Sequence, residues 1–220
     1  MKERYTFEDL LKIMDELRVG CPWDQKQTHE SIRGNLLEEA YEAVEALDTK
    51  DKADFCDELG DVLLQVVFHA KIASETNTFN MDDIITNICQ KLIIRHPHIY
   101  GDVVAKTSEE VLKNWDAIKR EQRNQNTLKD ELSGVSRALP ALMRCEKIQK
   151  KAEREECYCH SAEESAAIIQ ARLGELLSNS GDSEAKMGEI LFEITNISRI
   201  FKINAEGCLT SALERFIMDL

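Results

Sequence analysis

Apolar positions along this chain recur at helical spacing. Leu10, Leu11, Ile13, Met14 and Leu17 fall on one side of a helix that Thr6 is placed to cap and Gly20 to stop. Gly20-Cys21-Pro22-Trp23-Asp24 then reads as a turn. Two helices follow, Thr28 to Asp48 and Lys52 to about Ser74, parted by the polar break Thr49-Lys50-Asp51. From Leu59 to Phe68 the second is apolar almost all round, which predicts burial. Asn80 caps a further helix with Asp82 and Asp83 in its first turn, where the helix dipole favours acids. That helix ends at Arg95-His96-Pro97-His98, and Pro97 makes the stretch a helix stop rather than a two-histidine metal site.

Thr107 and Glu110 form a capping box for a helix that runs to about Arg123, with Trp115 and Ile118 one turn apart and facing inward. Residues 125–140 are polar, contain Gly134 and Pro140 and lack periodic apolar positions, so they are expected to be a linker. Ala141 to about Glu156 is again helical and strongly charged. The pattern predicts an all-α chain with one domain over residues 1–124, the linker 125–140 and a second domain over 141–220.

The pair of helices around Lys50 changes the picture from fold to chemistry. Glu39 and Glu42 sit three residues apart on the first, Glu58 and Asp61 three apart on the second. Such spacing puts two side chains on one helix face. Folded as an antiparallel hairpin about position 50, the pair brings Glu42 level with Glu58 and Glu39 level with Asp61. Four carboxylates converging in two layers repel one another unless a cation joins them. An all-oxygen set suits a hard divalent ion such as Mg²⁺, which also binds substrate phosphates. The plainer reading is four solvated surface charges; the apolar neighbours of Glu58 and Asp61 argue against it. Lys91 and Arg95 share a face and suit phosphate oxygens, or simply complement a helix C-terminus. Trp23 is a packing plug or a surface on which a nucleobase stacks.

Composition narrows the partners. A net charge of −13 argues against a protein that holds nucleic acid through its phosphates. No apolar run approaches the roughly 20 residues of a membrane span. Seven cysteines at irregular spacing, in a chain without a signal-peptide pattern, lead us to expect a cytoplasmic protein. Cys157-Tyr158-Cys159-His160 has metal-ligand residue types but lacks the second matched pair of a zinc site.

The last third repeats the acid-bearing hairpin. Lys186 to Ile194 lies over Glu58 to Val66 at a constant offset of 128, and the preceding helix carries Arg172 and Glu175 at the places of Glu39 and Glu42. Lys186 and Glu189 then stand for Glu58 and Asp61. With cations at two of the four positions the copy is expected to repel a divalent ion, which places any chemistry in the first half.

The E-x-x-E and E-x-x-D pair resembles the metal signature of the MazG nucleoside triphosphate pyrophosphohydrolases. Cys21-Pro22-Trp23-Asp24, Leu37-Glu38-Glu39, Arg95-His96-Pro97-His98, Trp115, Ile118-Lys119 and Leu139-Pro140-Ala141-Leu142-Met143 also look like motifs of that family. The resemblance implies tandem all-α bundles and a homodimer in which helices of two subunits complete each four-helix site. It implies Mg²⁺, with Mn²⁺ as a substitute, held by Glu39, Glu42, Glu58 and Asp61. The expected reaction converts a nucleoside triphosphate to monophosphate and pyrophosphate with loose base selectivity. Glu38 or Glu39 would orient the water, Lys91, Arg95 and Lys119 contact phosphates, and Trp23 stack on the base. Competing expectations are a dUTPase-like or phosphoribosyl-ATP pyrophosphatase, and a non-catalytic helical interaction protein derived from the enzyme.

Overall fold

A computed structural model describes residues 2–49, 51–178 and 181–220. Lys50, the centre of the polar break, lies outside them. Among the described residues the secondary structure is helical throughout, with no strand, and no helix is long and apolar enough to cross a membrane. The chain divides into two compact units, Met1–Lys106 and Thr107–Leu220.

In the first unit α1 spans Phe7–Gly20, and Thr6 caps it in a reciprocal capping box with Asp9. A 3-10 turn, Asp24–Lys26, leads to α2, Arg33–Thr49. α3, Lys52–Glu75, starts at Asp51, whose side chain accepts hydrogen bonds from the N–H groups of Ala53 and Asp54. α4, Met81–Arg95, has the expected capping box of Asn80 and Asp83, and the short α5, Pro97–Tyr100, follows the proline stop. α2 begins at Arg33, not Thr28, and in the turn before it Thr28 and Ser31 exchange side-chain hydrogen bonds with each other's backbone N–H. His29 in that turn is tied to His69 of α3, Nδ1 to Nδ1 at 2.8 Å.

The core of this unit is Met14, Ile32, Val67, Phe68 and Ile72, with Leu10, Leu11, Leu64 and Met81 against it. Each such burial contributes about 1.5–3 kcal/mol. It gathers α1 and the C-terminal part of α3. The expectation that α3 is buried from Leu59 onward therefore holds only from about Gln65, and Leu59 and Leu63 remain exposed. Against α2 the contact is through the small side chains Ala43 and Ala46, the buried residues of that helix. Small residues let the two backbones come close, which is what brings facing acids together.

The second unit contains α6 (Ser108–Gln122), α7 (Leu128–Ser133), α8 (Ala141–Arg154), α9 (Ala162–Leu177), α10 (Ser183–Ile200) and α11 (Ala205–Met218). Two sequence expectations change here. The boundary falls at 106/107 rather than at 124/125, so α6 belongs with the second unit. Residues 125–140 include a helix, α7, capped by Thr127 and Asp130. Its Glu131 is 3% exposed and pairs with Arg120 of α6 at 3.0 Å and with Lys151 and Arg154 of α8. The anchor is ionic, and a search for apolar periodicity passes over it.

Candidate metal centre

The hairpin of α2 and α3 has the antiparallel pairing that the acid spacing requires. Glu39 of α2 and Glu58 and Asp61 of α3, all half-buried, place ligand oxygens within 4.8 Å of one another. Glu42, predicted as the fourth ligand, is exposed and stays outside this cluster, and Glu38 is exposed beside it. None of the three clustered acids has an ion pair among the described residues.

The electrostatics record that crowding. Burial, then the charges of Asp61, Glu42 and Glu38, push the Glu39 carboxyl above the usual glutamate range. Glu58 is pushed up by burial and by Glu42, Asp54, Asp61 and Glu39. One carboxylate oxygen of Glu58, Oε2, is buried with no hydrogen-bond partner. A buried acceptor left so costs about 1–3 kcal/mol, more for a charged group. Three hard oxygen donors with mutual repulsion and an unsatisfied buried lone pair are suited to a divalent cation. On residue types and spacing, Mg²⁺ or Mn²⁺ fits here.

Sequence reasoning passed over Gln65. It is 4% exposed, and its Nε2 donates toward Glu39 Oε1 at 3.5 Å. The signal was present, since Gln65 lies four residues after Asp61 and seven after Glu58, on the face that carries both.

The other predicted residues are placed less closely. Trp23 is 57% exposed at the entrance to the 3-10 turn, its ring 6.4 Å from that of Phe68. Arg18 fixes this turn, pairing through two nitrogens with Glu75 and donating to the carbonyls of Asp24 and Gln27. Trp23 thus lies near Phe68 with more than half of its surface exposed, rather than as a core plug. On α4 Lys91 is exposed and Arg95 half-buried. Lys119 lies on α6 of the second unit, where with Lys113, Arg120, Lys147 and Lys150 it lines a cavity of about 880 Å³.

The repeat supplies a comparison inside one chain. α9 and α10 pair as α2 and α3 do. Arg172 meets Glu189 at 2.5 Å and Glu175 at 3.1 Å, and Lys186 lies 3.7 Å from Glu175. The positions that correspond to the Glu39–Asp61 and Glu42–Glu58 levels form ion pairs in the second hairpin. There the protein supplies its own cations.

Comparison with known proteins finds relatives over most of the chain. A model of the MazG nucleotide pyrophosphohydrolase domain matches residues 27–100, which contain all four signature acids. The chain is 38% identical over 222 residues to the nucleoside triphosphate pyrophosphohydrolase/pyrophosphatase MazG of Thermotoga maritima, covering 99% of this chain and 85% of that one. The chain belongs to the MazG family. A nucleoside triphosphate pyrophosphohydrolase of Escherichia coli is also 38% identical, over 94% of this chain and 82% of its own. The structure of a MazG-related protein from Thermotoga maritima aligns with 51% of the chain at 27% identity, with a TM-score of 0.46. The match over 27–100 centres on the hairpin of α2 and α3 and leaves the altered copy outside.

Proposed function

We propose that this MazG-family hydrolase cleaves nucleoside triphosphates to the monophosphate and pyrophosphate, using a divalent cation held by the first hairpin. One observation carries the reading: Glu39, Glu58 and Asp61 converge within 4.8 Å with no ion pair among the described residues. Mg²⁺, or Mn²⁺ in its place, supplies neutralisation of the triphosphate and a water of lowered pKa. Glu42, exposed one turn from Glu39, joins as a fourth carboxylate, and Glu38 or Glu39 orients the attacking water. Lys91 and Arg95 contact phosphate oxygens. Trp23 offers an open aromatic face on which any base stacks, and this supports broad base selectivity. A nucleotide-clearing role in the cytoplasm fits such selectivity, and all seven cysteines are free.

We further propose that the site is completed by a second copy of the chain. α4 has no buried residue, and its Ile85, Ile88 and Leu92 are exposed at helical spacing. Leu37, Tyr41 and Val44 on α2 and Leu59 and Leu63 on α3 are exposed as well. Apolar surface of this extent around an acid cluster is what a helical partner would cover.

The test is pyrophosphate release over the ribo- and deoxyribonucleoside triphosphates with and without Mg²⁺. Turnover is expected only with the metal and with several bases; turnover confined to dUTP or to phosphoribosyl-ATP would select those substrates instead. Glu58→Gln is expected to lower the rate by about 100-fold or more, the scale of losing several kcal/mol of charge stabilisation. Equal turnover by wild type and Glu58→Gln would remove the metal site from the reaction.

A further inference from the structure

One polar group near the acids is held in an unfinished state. Gln65 lies on the acid-bearing face of α3 and is almost wholly buried, so solvent does not complete its hydrogen bonding. Its Nε2 faces Glu39 at 3.5 Å, while its Oε1 is buried without any hydrogen-bond partner. The opposite amide orientation would turn that oxygen toward a carboxylate, which offers no donor when ionised. The carboxylate therefore fixes the orientation of the amide.

The second hairpin shows the alternative. Glu193 occupies the corresponding position, offset by 128, and is 5% exposed. Its oxygens accept from Tyr158 Oη at 2.8 Å and Ser165 Oγ at 2.6 Å, with His160 Nδ1 at 3.2 Å. Where ion pairs have replaced the acid quartet, the buried group at this position is fully engaged by its own unit. Where the acids persist, it keeps an open acceptor.

We propose that Gln65 is a positioning residue of the metal centre. Its N–H restrains Glu39 in the ligating orientation, and its Oε1 accepts a hydrogen bond from water that arrives with the ion. Partners of this kind orient ligands and typically change metal affinity by about 10–100-fold. The inference rests on the metal-binding reading of the acids, and the experiment separates the two.

Mn²⁺ is titrated calorimetrically into the full chain without nucleotide. Gln65→Met keeps the side-chain volume but removes both donor and acceptor. It is expected to bind Mn²⁺ about tenfold more weakly with an unchanged helical spectrum, whereas Glu58→Gln abolishes binding. Equal affinity of wild type and Gln65→Met overturns the positioning role alone. No binding by wild type overturns the metal reading and this inference with it. On the unsubstituted chain, the side-chain amide resonance of Gln65 is expected to shift when Mg²⁺ is added. A resonance that does not move, in a protein that binds Mg²⁺, counts against the proposal even if the variant does not fold.

Discussion

At the scale of single residues, the centre is defined by protons as much as by positions. Glu39 and Glu58 hold their protons to higher pH than ordinary glutamates, because burial and neighbouring acids disfavour their charges. The native state therefore binds more protons than the unfolded chain, over a window that opens at about pH 4.3 and extends up to the raised values. Through that window the metal-free fold loses stability as pH rises. A divalent ion held by these acids would relieve the repulsion above the window and compete with protons inside it. Thermal melts in EDTA and in Mg²⁺ are expected to coincide near pH 4.5 and to separate near pH 7.5, with the higher Tm in Mg²⁺. A separation that does not grow with pH would dissociate the raised carboxyls from metal binding. The clustered acids were legible as residues because spacing three apart is a local property. Gln65 shares their face by the same arithmetic, but only its burial and unpartnered oxygen single it out.

At the scale of elements, the two hairpins are one scaffold under two charge schemes. α2 with α3 leaves its acids unpaired, and α9 with α10 closes the same layers with Arg172, Lys186, Glu175 and Glu189. Exposed pairs of this kind contribute little individually, about 0–1 kcal/mol. Their larger effect is to prevent four like charges from meeting. The double substitution Arg172→Glu and Lys186→Glu restores a carboxylate at each position. It is expected to lower Tm in EDTA and to raise the number of Mn²⁺ ions bound per chain, read by calorimetry. An unchanged Mn²⁺ stoichiometry would show that the second hairpin no longer brings those positions within ligating reach. Sequence periodicity located α1, α3, α4 and α6 well, since capping boxes and apolar stripes are written within a few residues. It misread α7, which is held by Glu131 pairing with Arg120, Lys151 and Arg154, all more than ten positions away, and no local pattern encodes that.

At the scale of the whole molecule, the first unit exposes apolar side chains on α2, α3 and α4. Ile88 and Leu92 of α4 are exposed on the helix that carries Lys91 and Arg95. Ile88→Glu with Leu92→Glu is expected to yield a monomer by light scattering after size-exclusion chromatography and to abolish pyrophosphate release, with the helical content retained. A dimer that survives both charges would move the interface elsewhere.

The sequence by itself determined the helical class, the four signature acids, the repeat and its changed charges. These follow from residue type and short-range spacing, which the helix converts directly into faces. Only the tertiary structure decided that Glu39, Glu58 and Asp61 cluster while Glu42 remains outside, because convergence depends on how closely Ala43 and Ala46 let two helices approach. Only it moved α6 and the stretch 125–140 into the second unit, through a buried carboxylate shared by three distant cations. Long-range charge pairing and the depth of burial are properties of the packed chain, and they are absent from any window of its sequence.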